Sequence, residues 1–258
     1  MIRAALRRTG SATLTLLTEL GRAGSVGGAG VANLVRLPLR LRETAKQMEF
    51  IGINSLPIIL LSAAFTGAVF TYESHQAFAM IGAQGIVSGT VGVALTRELA
   101  PTLTALLVAG RAGSAIAAEI GSMKVSEQVD ALEAMAVDPI NYLVKPRLVA
   151  AILVLPMLTA IFDLVGITGS YFISIYVLHL SKPEFFVRLE DWVDWNDVTA
   201  GLIKAVVFGA VIGVVGCYKG LYASGGAEGV GQATTSSVVV ASVIILILNY
   251  FIAIQLPL

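Results

Sequence analysis

The sequence predicts an all-α membrane protein with about five transmembrane helices, preceded by an amphipathic helix that lies at the membrane interface. Of its 258 residues, 56% are hydrophobic and 13% are charged, whereas about 25% of the residues in a soluble domain are charged. The mean hydropathy is +0.84. A soluble fold of this size needs a charged shell around its core, and the chain has too few charges to form one. We therefore expect lipid to be the solvent for much of the protein surface.

Five stretches reach the roughly 20 apolar residues that are needed to cross the hydrocarbon core of a bilayer. The first is free of charge between Glu49 and Glu73, and residues 74–110 are interrupted only by Arg97 and Glu98. Because residues 74–110 are too many for one span, we assign their first part to a periplasmic segment. The predicted spans cover residues 50–72, 88–110, 148–178, 198–218 and 234–256.

The distribution of Lys and Arg predicts the orientation of these spans, because cytoplasmic loops of membrane proteins are enriched in both residues. Eight of them precede residue 50, and five more lie in the loops on the same side. Only Lys182 and Arg188 lie in the loops on the other side. The sequence therefore predicts a multi-pass protein of the bacterial inner membrane with a cytoplasmic N-terminus and a periplasmic C-terminus.

The N-terminal segment, residues 1–48, is basic, and its apolar residues recur at helical spacing. Such a pattern is typical of a helix in the cytoplasmic headgroup layer. A solvated basic tail is the alternative. Residues 49–258 form the transmembrane domain in this interpretation. The apolar positions that define the helical spacing are Leu14, Leu17, Leu20, Leu34, Leu37 and Leu41.

A short helix is predicted for residues 122–138, in the cytoplasmic loop between the second and third spans. Its apolar positions share one face and its acidic positions share the adjoining face, and Pro139 ends it. Such a helix can dock a cytosolic motor, with apolar side chains in a groove and acidic ones at a basic rim. An interfacial helix without a partner fits the pattern equally well. The apolar positions are Val125, Val129, Leu132 and Ala136, and the charged ones are Lys124, Glu127, Asp130 and Glu133.

Four charged residues fall inside the predicted spans, where they are expensive and are functional candidates. One expectation is that Arg97 faces a hydrated cavity near a lipid phosphate, while Glu98 contacts another helix or a second copy of the chain. The alternative is that both residues form structural ion pairs between helices. Lys204 is expected to extend to the periplasmic interface, with contact to a lipid headgroup as the alternative. For Asp163 we expect a structural hydrogen bond or a pairing with Lys204 or Arg97.

An acyl-chain cavity is a further expectation, although ordinary packing explains each of its candidate residues as well. The candidates are Leu60, Phe65, Val69, Phe70, Tyr72 and Phe78.

Several function classes find no support in the sequence. The single Cys217 cannot form an intramolecular disulfide, and His75 and His179 are too few for an ordinary metal cluster. The net charge of zero argues against nucleic acid as the main partner. No G-x-x-x-x-G-K-[ST] loop for nucleotide phosphates and no catalytic triad or carboxylate pair is present. We therefore expect neither an enzyme nor a cofactor.

Beyond residue 46, nearly the whole chain resembles the MlaE family of ABC permeases. The resemblance is densest over residues 97–139, from Arg-Glu-Leu-Ala-Pro at 97–101 through Gly-Arg-Ala-Gly-Ser-Ala at 110–115 to Pro139, and it continues in residues 54–58, 201–209 and 225–235. Two positions depart from the common family pattern, in which Arg stands in place of Ser236 and Asp in place of Asn249. Both departures remove a charge from the fifth span.

The resemblance implies a homodimeric permease that moves phospholipids between the inner membrane and a periplasmic route to the outer membrane, and so maintains outer-membrane lipid asymmetry. It implies three partners, namely a cytosolic ABC ATPase, a STAS-domain subunit and a periplasmic MCE-domain subunit. The segment 122–138 would then be the helix that couples the permease to the ATPase. The rival hypotheses are an ion-coupled secondary transporter and a membrane scaffold that transports nothing.

Overall fold

The computed structural model describes residues 40–255, together with Gly21, Gly24, Ser25 and Gly28. Residues 40–255 form seven helices and no strand, which confirms the predicted all-α class. Five of the helices are long and apolar enough to cross a membrane. The helices are α1 (Leu41–Ala79), α2 (Gln84–Val125), α3 (Gln128–Ala134), α4 (Ile140–Val177), α5 (Lys182–Trp192), α6 (Trp195–Leu221) and α7 (Gly226–Gln255).

The long helices extend beyond the predicted spans because a helix need not end where the hydrocarbon core ends. An amphipathic segment, Leu41–Gly52, continues through a 3₁₀ turn, Ile53–Ser55, into the apolar part of α1. The boundary predicted at residue 48 therefore falls within one continuous helix. The other amphipathic positions predicted for the N-terminal segment lie outside the described residues.

Helix α4 lies at the centre of the fold and packs against α1, α2 and α6. The two outer spans are α1 and α7, whose most apolar windows are 22% and 17% buried, against 50% for α2, α4 and α6. Within residues 40–255, the apolar faces of α1 and α7 are thus open.

Glycines allow the central helices to approach closely. A Cβ at Gly67 of α1 would lie 1.9 Å from the carbonyl oxygen of Gly166 in α4. A Cβ at Gly209 of α6 would lie 2.5 Å from the carbonyl oxygen of Ala151, also in α4. Small residues at membrane helix crossings serve this purpose, so these glycines are explained by packing within one chain.

Helix α2 contains two π-helical turns, at Leu95–Leu99 and Ala109–Gly113. A π turn redirects the side chains that it carries and is common at functional sites. The first turn carries Arg97 and Glu98, the only charged residues in the predicted second span. Both therefore project from an irregular part of the helix, close to α6.

Candidate functional site

Lys204 is the buried centre of a polar network between α2 and α6. Its residue is 2% exposed, and its Nζ donates hydrogen bonds to Glu98 Oε1 at 2.6 Å and to the carbonyl oxygen of Arg97 at 2.9 Å. Pro101 leaves this carbonyl without the usual donor four residues on, because a proline has no N–H. The prediction that Lys204 extends to the membrane interface is wrong, because two acceptors on α2 satisfy its ammonium inside the bundle.

Arg97 forms the second ion pair of the network. Its Nε lies 3.3 Å from Asp197 Oδ1, and the two side chains are 18% and 11% exposed. Adjacent positions of a helix point in different directions, so Arg97 and Glu98 reach different partners on α6. Of the two alternatives that the sequence leaves open, the described residues show the interhelical ion pairs.

Asp197 is a member that the sequence analysis missed. Its Oδ2 accepts a hydrogen bond from the backbone N–H of Asp194 at 3.0 Å, and Asp194 in turn caps the first turn of α6. Two acids spaced three residues apart at a helix start were the available indication. The carboxylate of Asp197 thus caps α6 with one oxygen and pairs with Arg97 through the other.

Asn249 connects α7 to the same network. Its Nδ2 donates to Glu98 Oε2 at 3.0 Å. An amide donor suits this place beside a carboxylate. Glu98 therefore contacts both α6 and α7 from α2, and its side chain, at 42% exposed, is more accessible than those of Arg97, Asp197 and Lys204.

Asp163 stands apart from the network. It lies near the middle of α4, is 8% exposed, and its Oδ1 has no hydrogen-bond partner among the described residues. The predicted pairing with Lys204 or Arg97 is wrong, because Glu98 and Asp197 already occupy those cations.

An open groove of about 430 Å³ lies between α1 and the π turn of α2. Three predicted cavity residues, Phe65, Val69 and Phe70, line it, whereas Leu60, Tyr72 and Phe78 do not. Leu60 and Tyr72 are exposed, and Phe78 packs against the core. The lining residues are Phe65, Thr66, Val69, Phe70, Glu73 and Leu99.

The loop between α2 and α4 differs from the single helix predicted for residues 122–138. Helix α2 continues to Val125, the chain turns at Glu127 with φ of 59°, and the short α3 follows. A second left-handed residue, Ala136, ends that part of the loop at φ of 58°. The amphipathic pattern does not reveal such turns because neither residue is a glycine.

Within this loop the predicted apolar positions differ in burial, and the predicted acidic positions differ in whether they form an ion pair. Val129 is 3% exposed and fastens α3 to the bundle, whereas Val125 is 39% exposed. Lys124 Nζ pairs with Asp130 Oδ1 at 2.5 Å. The remaining acids, Glu127 and Glu133, are exposed, while Leu132 is half-buried.

At the end of the bundle that faces this loop, two arginines bind groups on neighbouring helices. Arg111 donates to the carbonyl oxygen of Phe50 at 2.6 Å and to Ser55 Oγ at 3.1 Å, beside the 3₁₀ turn of α1. Arg147, buried in α4, pairs with Glu119 of α2 at 2.8 Å. Within residues 40–255, no group of His, Cys, Asp or Glu side chains is arranged to hold a metal ion.

Comparison with known proteins identifies the family. The model of the permease MlaE matches residues 44–255. The chain belongs to the MlaE permease family. It is 35% identical over 244 residues to the intermembrane phospholipid transport system permease protein MlaE of Haemophilus influenzae, with 94% of each chain covered.

Two further relatives extend the MlaE family resemblance to other organisms. A probable ABC transporter permease protein of Rickettsia felis is 42% identical over 243 residues, again with 94% of each chain covered. The chloroplastic protein trigalactosyldiacylglycerol 1 of Arabidopsis thaliana is 38% identical over 232 residues, which are 88% of this chain and 65% of the plant protein. The chain is thus a multi-pass MlaE-family ABC permease of the inner membrane.

Proposed function

We propose that this chain is the membrane-spanning subunit of an ABC transporter that moves phospholipids between the inner membrane and a periplasmic route to the outer membrane. The observation that carries the proposal is the match to the MlaE permease model over residues 44–255. A relative named as an intermembrane phospholipid transport permease, similar over nearly its whole length, supports the lipid substrate. In this proposal the chain has no catalytic site and no cofactor, and a separate cytosolic ABC ATPase hydrolyses the ATP.

The proposed assembly is a homodimer with a STAS-domain subunit and a periplasmic MCE-domain subunit. The open faces of α1 and α7 are available for contact between copies. The N-terminus is cytoplasmic and the C-terminus periplasmic, in keeping with the positions of Lys and Arg. This orientation places α3 on the ATPase side and α5 on the MCE side.

The coupling element in this proposal is the turn at Glu127 together with α3. The exposed Glu127 and Glu133 meet basic residues of the ATPase, and Leu132 supplies an apolar contact. Lys124 and Asp130 hold the turn through their ion pair. When the ATPases close on ATP, α3 moves with them and the attached α2 shifts the π turn that carries Arg97 and Glu98.

Lipid movement then follows from a difference in lipid affinity between two conformations. The lipid-binding region comprises the groove with Val69 and Phe70 and the neighbouring network of Arg97, Glu98 and Lys204. Leu60, Tyr72 and Phe78 lie on the same helix, outside the groove. They contact lipid from the open face of α1 or from the core beside it.

The test is purification of the tagged chain from its native host in mild detergent, with mass spectrometry of the polypeptides and lipids that accompany it. We expect an ABC ATPase, an MCE-domain protein and stoichiometric phospholipid. Repeated recovery of the chain without any ATPase, under conditions that preserve other complexes, would contradict the ABC function. Flux that follows an ion gradient instead of ATP would then favour a secondary transporter.

A matched pair of variants tests the coupling surface. Glu133→Lys on α3 reverses an exposed charge at the proposed ATPase contact, and Glu190→Lys reverses an exposed charge on α5. We expect the first to lower ATPase recovery several-fold and the second to leave it unchanged. Equal recovery in both variants would remove α3 from the docking surface.

A further inference from the structure

The groove between α1 and α2 carries an unbalanced negative charge. Of its six lining residues, four are apolar, Thr66 is a neutral hydroxyl, and Glu73 is the one charged group. Glu73 is exposed, and no ion pair or hydrogen bond of its side chain is present among the described residues. A charged ligand in this groove therefore meets a carboxylate that has no counter-ion in the part of the chain that the structure describes.

The nearby network does not offset this charge. Two cations, Arg97 and Lys204, face two anions, Glu98 and Asp197, so the four formal charges sum to zero. The cations are also the less accessible groups, since the side chains of Arg97 and Lys204 are 18% and 2% exposed, against 42% for Glu98. The most accessible charge of the network is thus again negative, and Glu98 immediately precedes the groove residue Leu99.

This arrangement disfavours recognition of a bare phosphate. A phosphate would have to displace a carboxylate from Arg97 or Lys204, and breaking a buried ion pair is costly. An ammonium group needs no such displacement, because the carboxylate of Glu73 is already open to it. The groove volume of about 430 Å³ also falls in the ordinary range for small-ligand sites, roughly 300–1,000 Å³.

We propose that the groove between α1 and α2 selects phospholipids whose headgroup carries a primary ammonium, with Glu73 as the residue that determines the selection. The acyl chain lies along Phe65, Val69 and Phe70, and the ammonium contacts the carboxylate of Glu73. Anionic phospholipids of the same chain length are repelled by that carboxylate. This inference rests on the proposed function, because it presumes a phospholipid in the groove.

The test compares headgroups on one set of acyl chains. The full-length chain is purified, delipidated, and incubated with an equimolar mixture of phosphatidylethanolamine, N-acetylated phosphatidylethanolamine and phosphatidylglycerol. Retained lipid is then counted per chain by mass spectrometry. The variants are Glu73→Gln, which removes the charge at nearly constant volume, and Glu190→Gln, which does the same at an exposed site on α5.

We expect the native chain to retain phosphatidylethanolamine about two- to fivefold over both anionic lipids, as suits one partly exposed ion pair. Glu73→Gln should bring the ratio close to one while total lipid per chain stays constant, and Glu190→Gln should behave as the native chain does. Equal ratios in the native chain and Glu73→Gln, with undiminished total lipid, would overturn the inference and leave phospholipid handling intact. A native chain that retains no phospholipid would overturn both the inference and the proposed substrate.

Discussion

Lys204 Nζ on α6 lies 2.6 Å from Glu98 Oε1 on α2, and this contact joins two helices through charges that would each be unfavourable in a bilayer alone. The same ammonium also satisfies the carbonyl of Arg97, which Pro101 leaves without its helical donor. A helix irregularity and a buried cation thus compensate for each other. Asn249 adds α7 to the contact through the second oxygen of Glu98.

Replacing Lys204 by Met should therefore destabilise the protein strongly. The variant leaves Glu98 without its cation and the Arg97 carbonyl without its donor. We expect the free energy of unfolding to fall by about 3 kcal/mol, the lower end of the range for breaking a buried pair, because Glu98 is 42% exposed. The measurement is the temperature at which half of the detergent-solubilised protein loses its monodisperse gel-filtration peak.

The double variant Lys204→Met with Glu98→Gln is the control for this prediction. Removing both charges should recover part of the lost stability, because no uncompensated carboxylate remains. The stability losses of Lys204→Met and Glu98→Gln alone would add up in the double variant if the two residues were energetically independent. Such an additive loss would contradict the prediction.

A second prediction concerns the crossing of α1 and α4. In Gly67→Ala the new Cβ would lie 1.9 Å from the carbonyl oxygen of Gly166, so the helices must separate. We expect this overpacking to lower the free energy of unfolding by about 1–3 kcal/mol. In Gly110→Ala, on α2, nothing lies within 4 Å of the new Cβ. That control should match or exceed the stability of the native protein, since Ala favours helix over Gly; equal effects of the two variants would show that the crossing tolerates wider spacing.

The fold class and the positions of the spans could be predicted from sequence because they depend on local composition. Five apolar stretches of sufficient length leave few alternatives, and the described helices follow them. The ends of the helices could not be predicted in the same way. Polar residues such as Arg111 and Glu119 mark the end of the apolar stretch, yet α2 continues past both to Val125 because their side chains find partners on α1 and α4.

The candidate site was predictable only in part, because its partners are distant in sequence. The unusual positions of Arg97, Glu98 and Lys204 in apolar stretches were visible, but their pairing depends on how α2 and α6 cross. Asp197 lies at the end of a span and Asn249 is uncharged, so neither stands out as a charge inside an apolar stretch. The pairs appear only once Lys204 and Glu98, 106 positions apart, come together.

A third prediction concerns the isolated carboxyl on α4. Asp163→Asn should leave the stability unchanged or raise it slightly, because Asp163 has no ion pair and its Oδ1 has no hydrogen bond within residues 40–255. The amide has nearly the same volume and no charge to desolvate. The gel-filtration assay used for Lys204→Met applies here too. A loss as large as that of Lys204→Met would mean that Asp163 has a partner on another copy or another subunit.

The last prediction separates two roles of Glu127, which is at once an exposed acid and a residue at φ of 59°. A non-glycine residue in this conformation costs about 1–2 kcal/mol, and glycine removes that strain at an entropic cost of roughly 0.5–1 kcal/mol. Glu127→Gly should therefore keep the turn or strengthen it, Glu127→Gln should keep it unchanged, and Glu127→Val should weaken it. Amide hydrogen exchange across residues 126–135 measures this order.

If the carboxylate docks the ATPase, the Gly and Gln variants should both lower ATPase recovery despite an intact turn. If recovery falls only in the Val variant, the turn itself transmits the coupling and the charge does not.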